Sequence, residues 1–386
     1  MHVLIAHNKY GAPSGEEQAM EAISALLVNG GHQVSFFLRS SADIVSPLDK
    51  VRAFCAGVYS PQSRREMAQV LSQKRPDIVQ AQNLFPFLSP SILGACRTNK
   101  VPVVMRCPNY RVFCPNGLHL SHGEVCERCL GGKEFWCVLR NCEGDRFKSL
   151  GYALRNAVAR ITRSIIDNVN VFIVLSEFQK QRFIAGGINP ERIEILPNIV
   201  PAVNGTTSAG TGDLITFVGR VSPEKGIEDF VRAARSLPDL PFAVAGSTER
   251  MPELVAASPK NVKWLGFLKE KELNEAYAQS RMLVFPFRWF EGFPNVVTRA
   301  MVLEKPVIAA RIGALPEIVA DGKTGLLFET GNLEQMVSNI RRLYGDEALC
   351  REMGRAGRLK AETQYSPAVV YTRLMEIYQK ALKQTV

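Results

Sequence analysis

The sequence predicts an α/β protein of two doubly wound domains, each with helices on both faces of a parallel sheet. Three observations predict this class. Apolar runs of four or five residues alternate along the chain with segments of helical period. Residues 201–212, PAVNGTTSAGTG, have the composition of a linker, and the alternation starts again after them. The length of 386 residues suits two domains rather than one.

The first domain is expected over residues 1–200 and begins at once with a buried strand. A loop over 8–15, punctuated by Gly and Pro, follows this strand and leads into a helix that ends at Gly30 and Gly31. The predicted strands of this domain are Val3–Ala6, Val34–Leu38, Asp77–Gln80, Val101–Met105 and Val171–Leu175.

The second domain is expected over residues 213–365, and a helix over 366–386 is expected to cross back to the first domain. The predicted strands of the second domain are Leu214–Val218, Phe242–Ala245, Val262–Leu265, Met282–Phe285 and Pro306–Ala309. Ligands of doubly wound sheets bind beyond the carboxyl ends of the strands, so we expect a site in the cleft where two such domains face each other.

Composition restricts the class of function. Apolar residues make up 46% and charged residues 22% of the chain, as is typical of folded proteins. The net charge of +10 suits an anionic partner, which could be a nucleotide, a nucleic acid or a membrane surface. The sequence contains no apolar run long enough to predict a membrane-spanning helix. The first residues lack the basic and apolar regions of a signal peptide, and we therefore expect a cytoplasmic location.

Cysteines are concentrated around a segment without helix or strand period, residues 106–145. Seven of the nine cysteines lie within residues 96–142. Cys126 and Cys129 have the C-x2-C spacing of a tetrahedral metal site. The second pair of ligands would come from Cys114, Cys137 or Cys142. Structural zinc is one interpretation of this pattern, free thiols are another, and disulfides are a third in an oxidising compartment.

A basic amphipathic helix is predicted after the Cys-rich segment. The residues of its apolar stripe are Leu150, Leu154, Ala157, Val158, Ile161 and Ile165. The cations that flank the stripe are Lys148, Arg155, Arg160 and Arg163. Such a helix either lies on an anionic membrane surface or packs its stripe on the sheet with its charges in solvent. We favour packing on the sheet.

The loop after the first strand of the second domain has the features of an anion site. Residues Gly219–Gly226, GRVSPEKG, follow this strand and lead into a helix. Backbone amides of such a loop and the N-terminus of a helix attract anions. Arg220 and Lys225 can complete the neutralisation of a diphosphate.

This loop and several later motifs resemble the retaining nucleotide-sugar glycosyltransferases of family 4, which have the GT-B fold. Residues 290–301, FEGFPNVVTRAM, followed by PVIA at 306–309, are similar to the family's E-G-F-P motif and the strand after it. Further matches are SEF at 176–178, PN at 197–198, GALPEIV at 313–319 and DGKTGLL at 321–327. The resemblance covers about the whole chain.

The Cys-rich segment is similar to that of a subgroup of this family. The subgroup carries H-N-Y-R-x-x-C-P-N-G and then C-x-x-C-L-G-G, which correspond to residues 108–117 and 126–132. The resemblance aligns four cysteines with those of the subgroup and leaves Cys137 as an extra one. It implies one structural zinc ion held by Cys114, Cys126, Cys129 and Cys142.

The resemblance also implies a reaction and the residues that perform it. Family members transfer a sugar from a nucleotide diphosphate to an acceptor hydroxyl and keep the anomeric configuration. Arg220 and Lys225 would bind the diphosphate and stabilise the leaving group, and Glu291 would bind hydroxyls of the donor sugar. The other implied donor-binding residues are Gly15, Gly219, Gly266, Phe267, Gly292, Phe293, Pro294, Asn295 and Arg299. No cofactor is needed for catalysis, since two cations serve the diphosphate and the sequence has no D-x-D pair to hold magnesium.

Two positions depart from the family pattern. Arg299 stands where the family has a second acidic residue that accepts hydrogen bonds from the ribose, and a guanidinium has no acceptor. Arg299 could instead reach the diphosphate, pair with an acidic donor sugar, form a salt bridge with Glu291 in the empty site, or point to solvent. Pro108 stands where the subgroup has a histidine that contacts the donor sugar.

Two hypotheses of function remain open at the level of the sequence. The first is an active glycosyltransferase with a UDP-sugar donor favoured over a GDP-sugar. Its acceptor would be a saccharide or a lipid-linked precursor of a bacterial surface polysaccharide, reached with a peripheral membrane contact. The alternative is a degenerate GT-B protein that binds a nucleotide or a partner without turnover. A zinc-ribbon protein that binds nucleic acid is disfavoured, because interleaved surface aromatics are missing and the diphosphate loop stays unexplained.

Overall fold

A computed structural model of the chain describes residues 1–11, 14–200 and 212–384. It consists of two compact units, each built around a six-stranded parallel sheet. The first unit contains Met1–Ser121, Cys126–Ile199 and Val370–Val386, and the second contains His122–Val125 and Val200–Val369. The expected linker lies outside the described residues, except for Gly212.

The sheet of the first unit starts from a strand that is buried on both faces. The strands of this region are β1 His2–Lys9, β2 Gln33–Ser40, β3 Ile78–Ala81, β4 Val103–Arg106, the short pair β5 Leu120–Ser121 and β6 Glu124–Val125, β7 Val171–Val174 and β8 Ile193–Ile195. The sheet order is β2-β1-β3-β4-β7-β8. The strand order reverses at β1 and β3, and their carboxyl ends therefore border a crevice of the kind in which ligands bind.

Helices of the first unit mostly begin at a polar side chain. They are α1 Gly15–Asn29, α2 Pro47–Val58, α3 Pro61–Lys74, α4 Ser91–Thr98, α5 Phe135–Leu139, α6 Arg146–Ile161 and α7 Glu177–Ala185. In five of them an oxygen at the N-cap accepts a backbone N–H of the first turn, which stabilises the helix start. These capping residues are Ser14, Ser46, Ser60, Asp145 and Ser176.

The second unit has a sheet with strand order β11-β10-β9-β12-β13-β14. Its strands are β9 Leu214–Val218, β10 Phe242–Ala245, β11 Val262–Gly266, β12 Ser280–Phe285, β13 Val307–Ala310 and β14 Gly325–Phe328. Its helices are α8 Ile227–Ser236, α9 Pro252–Ala256, α10 Glu270–Ala278, α11 Asn295–Val302, α12 Leu315–Ile318, α13 Leu333–Gly345 and α14 Glu347–Tyr365. The strand order reverses between β9 and β12. The two parallel sheets confirm the predicted α/β class with two doubly wound domains.

The helix α15, Pro367–Lys383, follows the second unit in sequence but packs in the core of the first. Its residues Val370, Leu374 and Ile377 are buried together with Val3 and Ile5 of β1. The buried hydroxyl of Tyr378 donates to Gln80 Oε1 at 2.5 Å. Among the described helices of either unit, none has the length and apolar character to cross a membrane.

Three residues of the apolar stripe predicted for α6 face solvent, contrary to the packing that we favoured from the sequence, whereas Ile165, which follows the helix, is buried. Leu150, Leu154 and Ile161 are 47%, 41% and 69% exposed. The buried face instead contains small and polar residues: Ser149, Gly151, Ala153, Arg155, Asn156 and Ala159. The physical reason is close packing, because a Cβ at Gly151 would clash with the ring of Phe54 on α2.

A buried arginine explains the rest of this inverted arrangement. The Arg155 guanidinium donates to the carbonyl oxygen of Pro115 at 2.8 Å. It also lies over the rings of Phe85 and Tyr152, with centroid distances of 4.1 and 3.9 Å. These contacts compensate for its removal from water, and burial still lowers the pKa of Arg155 to about 10.

Candidate functional site

The loops after β9 and β12 lie side by side at the point where the second sheet reverses its strand order. The loop after β9 contains Gly219–Gly226, and the loop after β12 runs over residues 286–294 and leads into α11. The two strands are paired directly. Ligands of doubly wound sheets bind at this position, so the fold brings Arg220, Lys225 and Glu291 to the expected place.

The loop after β9 is held in a fixed shape by its glycine and by a short 3-10 turn at Pro223–Lys225. Gly226 has a φ of +70°, and a Cβ there would overlap the carbonyl oxygen of Pro286, so only glycine fits. The Arg288 backbone N–H donates to the Glu224 carbonyl oxygen at 3.0 Å, which ties this loop to the one after β12.

Lys225 and Glu291 form an ion pair that is mostly shielded from solvent. The Lys225 Nζ contacts Glu291 Oε2, and the two side chains are only 11% and 17% exposed. The ammonium group also lies 4.4 Å from the ring centroid of Phe287 and 5.0 Å from that of Trp289. A cation held in this apolar frame interacts strongly with any anion that reaches it.

Arg220 differs from Lys225 in that its side chain is 59% exposed. Its Nη2 lies 3.4 Å from Glu224 Oε1, a weak contact because the guanidinium is largely in solvent. Glu224 also accepts a hydrogen bond of 2.7 Å from the Ser222 hydroxyl. The guanidinium is therefore able to turn toward an anionic ligand at small cost.

A second ion pair supports the loop after β12. The Arg288 guanidinium donates to both carboxylate oxygens of Asp229 on α8, at 2.7 and 2.8 Å. This hydrogen bonding raises the pKa of Arg288. Sequence reasoning missed this pair, although the run Arg288-Trp289-Phe290-Glu291 places a cation and an indole directly before the acidic residue.

The segment Gly292–Asn295 joins this loop to α11. Pro294 occupies the N-cap position and has no side chain that could cap the helix, and Asn295 is the first residue of α11. Phe293 is buried and packs edge to face on Tyr365 at a centroid distance of 5.0 Å. Its ring is thus part of the core, and only its backbone is available to a ligand.

Arg299 does not form the salt bridge with Glu291 that was one of its expected roles. It extends from α11 to α10, where it pairs with Glu270 and donates to Asn274 Oδ1 at 2.7 Å. Lys225 is the partner of Glu291 instead. The reason is geometric, since α10 carries two acceptors within reach of the Arg299 side chain.

Of the remaining predicted donor-binding residues, three lie in the second unit and one in the first. Gly219 follows β9, and Gly266 ends β11 with a φ of +70° and open space around its Cα. Phe267 follows Gly266 and is 80% exposed, which leaves its ring free to stack on a flat ligand. Gly15 lies in the first unit as the first residue of α1.

The cysteines of the Cys-rich segment form no disulfide bond with one another or with other described residues. Cys114 Sγ donates to Asn116 Oδ1 at 2.9 Å, and Cys142 Sγ donates to Ser121 Oγ at 3.5 Å. Burial first, and then three neighbouring cysteines, raise the pKa of Cys129 to about 12, which keeps its thiol neutral. Over residues 1–11, 14–200 and 212–384, no three metal-ligating side chains are arranged to hold a metal ion. The zinc ion expected at Cys114, Cys126, Cys129 and Cys142 therefore stays a prediction.

Comparison of the sequence with models of protein families identifies the family of the chain. The family model "Glycosyl transferase 4-like domain" matches residues 14–199, and the model "Glycosyl transferases group 1" matches residues 204–360. The chain belongs to the family 4 glycosyltransferases with the GT-B fold. Within this glycosyltransferase, the loops after β9 and β12 both fall inside the group 1 match.

Relatives of this glycosyltransferase have diverse names. Sulfoquinovosyl transferase SQD2 of Arabidopsis thaliana is 31% identical over 184 residues, which cover 43% of this chain and 36% of the relative. The capsular polysaccharide biosynthesis glycosyltransferase CapM of Staphylococcus aureus is 27% identical, with 45% and 47% covered. Alpha-maltose-1-phosphate synthase of Mycolicibacterium smegmatis is 26% identical, with 50% and 58% covered. The chain thus spans between a third and three fifths of the length of these relatives.

Solved structures share the fold of this glycosyltransferase along almost its whole length. Sucrose-phosphate synthase from Thermosynechococcus elongatus has a TM-score of 0.73 at 15% identity, with 99% of both chains covered. Anabaena Alr3699/HepE in complex with UDP-glucose has a TM-score of 0.65 at 16% identity, with 97% of this chain and 98% of that chain covered. At such low identity the likeness establishes the fold alone.

Proposed function

We propose that this protein transfers a sugar from a nucleotide diphosphate donor, a UDP-sugar, to an acceptor hydroxyl with retention of anomeric configuration. The observation that carries the proposal is the shielded pair of Lys225 and Glu291 beside the Arg220 loop, at the reversal of the second sheet. A shielded cation, an exposed guanidinium and a carboxylate at one site match the needs of a diphosphate leaving group and of sugar hydroxyls.

Each residue has a distinct part in this proposal. The diphosphate takes the place of Glu291 as the partner of Lys225, and Arg220 turns from Glu224 to the same phosphates. Glu291, released from Lys225, accepts hydrogen bonds from hydroxyls of the donor sugar. The negative charge that grows on the leaving diphosphate is stabilised by both cations in a site partly shielded from water.

The base of the nucleotide is proposed to lie against Gly266 and Phe267. The exposed Phe267 ring offers a flat apolar face, and Gly266 leaves room for the base to approach the backbone. UDP and UDP-glucose are named in the structures of the Anabaena protein, which shares the fold, and this supports uridine over guanosine.

The acceptor is proposed to be a saccharide or a lipid-linked precursor at the inner face of a membrane. The relative CapM is named for capsular polysaccharide biosynthesis, which supports an acceptor of this kind. The neighbouring helix α5, which contacts α6, also exposes apolar residues, since Phe135 and Leu139 are 53% and 69% exposed. Residues 128–163 contain eight Lys and Arg against three acidic residues, a charge balance that suits anionic lipid.

A second candidate function is nucleotide binding without turnover. The observation that favours it is Arg299, which is paired with Glu270 and leaves no acceptor for a ribose hydroxyl at that position. The two functions differ in one measurable property, which is the release of UDP from a UDP-sugar in the presence of acceptor.

Steady-state kinetics with UDP-sugars test the proposal. We expect Arg220→Met and Lys225→Met to lower kcat far more than they raise KM, because leaving-group charge develops in the transition state. Lys323→Met removes an exposed lysine of the same unit and serves as the control. Normal turnover in both site variants would show that the diphosphate assignment is wrong. Tight UDP binding with no turnover of any UDP-sugar would favour the second candidate.

A further inference from the structure

The first unit contains a pocket of its own at the crevice where its strand order reverses. The space inside it is small, about 20 Å³. The polar residues that line it are Glu16, Gln82, Asn83, Arg106, Asn109 and Arg111. They come from α1, from the segment after β3, and from the end of β4 and the residues that follow it. The pocket therefore lies where a doubly wound sheet binds its ligand.

Arg106 is a buried cation with most of its hydrogen-bonding capacity unused. Its side chain is 1% exposed, and one guanidinium nitrogen, Nη2, donates to Asn198 Oδ1 at 2.5 Å. Nε and Nη1 have no hydrogen-bond partner in the part of the chain that the structure describes. Desolvation lowers the pKa of Arg106 to about 10, so the group stays charged near neutral pH.

The surroundings of Arg106 increase this excess of positive charge. Arg111 also lines the pocket. Its Nη1 donates to Asn83 Oδ1 at 2.8 Å and to the Tyr10 hydroxyl at 3.0 Å, whereas its Nε has no partner among the described residues. Glu16 is the carboxylate of the lining. Its oxygens already accept from the Tyr10 hydroxyl at 2.5 Å and from Asn109 Nδ2 at 2.6 Å. The two guanidinium groups are thus incompletely neutralised.

Gln82 adds an unused donor and acceptor to the same pocket. Its side chain is 2% exposed, and neither its Nε2 nor its Oε1 has a hydrogen-bond partner within the described ranges. A buried amide without partners is rare in folded proteins, and it is the type of group that binds sugar hydroxyls when a ligand is present.

We propose that this pocket binds an anionic group, a phosphate or a carboxylate, of a sugar substrate through Arg106 and Arg111. The anionic oxygens would accept the open N–H groups of both guanidiniums, and Gln82 would bind a neighbouring hydroxyl. Either the acceptor or the donor sugar can supply such a group. The proposal rests on the proposed sugar transfer, and it narrows the substrates to acidic ones.

Thermal unfolding of the full chain with inorganic phosphate, glucuronate or glucose tests the pocket. We expect phosphate or glucuronate, but not glucose, to raise the Tm of the wild type. Arg106→Met and Gln82→Leu should weaken that anion binding about tenfold to a hundredfold, and the UDP-induced shift should persist. Without ligand, Arg106→Met should keep or raise the Tm, because an apolar side chain replaces an incompletely paired buried charge. Arg39→Met, at a solvent-accessible pair with Glu66, is the control.

Two results would overturn the proposal. One is an anion-induced shift of equal size in the wild type and in both pocket variants. The other is a loss of stability in ligand-free Arg106→Met together with no anion effect in the wild type, which would make Arg106 a structural residue. A missing UDP effect beside a retained anion effect would instead count against the proposed function alone.

The source of the anionic group is decided by a second comparison. If the donor supplies it, the wild type should bind UDP-glucuronic acid at least tenfold more tightly than UDP-glucose, and Arg106→Met should remove that preference. If the acceptor supplies it, the two donors should bind alike, and saccharides that carry phosphate or carboxylate should bind in an Arg106-dependent manner. Absence of both patterns would contradict the proposal.

Discussion

Lys225 and Glu291 compensate each other's charge in the ligand-free site, and a bound diphosphate would change that balance. Glu291→Gln leaves Lys225 shielded without a full counter-charge, and we expect a loss of about 1–3 kcal/mol in the free energy of unfolding. Saturating UDP should reduce this loss, because phosphate oxygens replace the missing carboxylate. Urea unfolding with and without UDP measures both values.

The control for this prediction is Glu329→Gln. Glu329 pairs with Arg311 at 3.0 Å, but its side chain is 62% exposed, so the expected loss is below about 1 kcal/mol with or without UDP. A loss at Glu291→Gln that is the same in the presence of UDP would mean that the nucleotide does not meet Lys225.

Arg299 is the residue at which the family pattern can be restored most directly. Arg299→Glu alone would put two carboxylates together, because Glu270 is its present partner. The double variant Arg299→Glu with Glu270→Gln avoids this repulsion, and we expect it to bind UDP more tightly by about 1–2 kcal/mol through a ribose hydrogen bond. Calorimetry checks this, with Arg299→Gln as the control that breaks the pair without adding an acceptor. Weaker binding by the double variant would show that Arg299 itself attracts the nucleotide.

The buried thiol of Cys96 should make the free energy of unfolding depend on pH in the alkaline range. Burial raises the pKa of Cys96 to about 12, whereas the unfolded thiol ionises near about 8.5. The folded state therefore keeps a proton that the unfolded state releases, and the free energy of unfolding falls as the pH rises from about 9 toward 12. Cys96→Ala should reduce this slope by up to about 1.4 kcal/mol per pH unit, and Cys55→Ala, at an exposed thiol, should not. Equal slopes for all three proteins, measured by urea unfolding across this range, would contradict the assignment.

The zinc ion expected from the cysteine spacing stays a prediction that the described residues do not support. Spacing identified Cys126 and Cys129 as neighbours but gave no information on the directions of four side chains from a segment without regular period. About one zinc per chain, measured on protein purified without added metal, would restore the prediction.

At the scale of single elements, helix α6 shows what a sequence pattern does and does not specify. The periodicity of its apolar residues correctly predicted a two-faced helix, because that periodicity is a local property of the sequence. The choice of the buried face depended on Gly151, which admits Phe54, and on Arg155, which finds a carbonyl and two aromatic rings. Apart from the ring of Tyr152, these contacts involve residues that are distant in sequence, Phe54, Phe85 and Pro115, and no local pattern contains them.

The edge strands β8 and β14 were missed for a related reason. Ile193-Glu194-Ile195 is a three-residue strand, and Gly325–Phe328 begins with a glycine, so neither gives the apolar run that marked the central strands. Each is a strand because its neighbour in the sheet offers it a ladder of hydrogen bonds. Arg106 escaped notice in the same way, as a charged residue that ends an otherwise apolar strand.

The exposed stripe of α6 gives a prediction for membrane binding. We expect the protein to sediment with vesicles that contain phosphatidylglycerol and to bind those of pure phosphatidylcholine much less, because apolar and cationic groups act together. Leu150→Ser with Leu154→Ser should lower the vesicle-bound fraction several-fold. Leu359→Ser on α14 removes an exposed leucine of the second unit and is the matched control. Unchanged sedimentation of the double variant would rule out this face as the contact.

At the scale of the whole molecule, the fold class was predictable because both units repeat the same pattern of buried parallel strands that alternate with helices. Buried parallel strands read as apolar runs, and both sheets contain four or more of them, so a few missed elements did not alter the class. For the site in the second unit, the sequence predicted only which residue types lie in the loops that follow the strands. That Lys225 pairs with Glu291, and could exchange this partner for a phosphate, could be inferred only from the folded structure.

Hydrogen exchange over the whole chain tests where the nucleotide acts. We expect UDP to slow exchange of backbone amides in the Gly219–Gly226 loop and in residues 292–299, because the ligand would cover both. Amides of α3 in the first unit should be unaffected and serve as the internal reference. Protection confined to the first unit would contradict the assignment of the donor site.

Helix α15 belongs to the core of the first unit but is synthesised last, and this order affects how the chain folds. Val370, Leu374 and Ile377 complete the core around Val3 and Ile5, yet the ribosome makes them only after the entire second unit. At about 5–20 residues per second, the strands of the first unit wait on the order of ten seconds for the helix that covers them. During this interval an apolar surface of the nascent chain is open to chaperones and to other nascent chains. We therefore expect the second unit to reach its native state first, although its synthesis begins later.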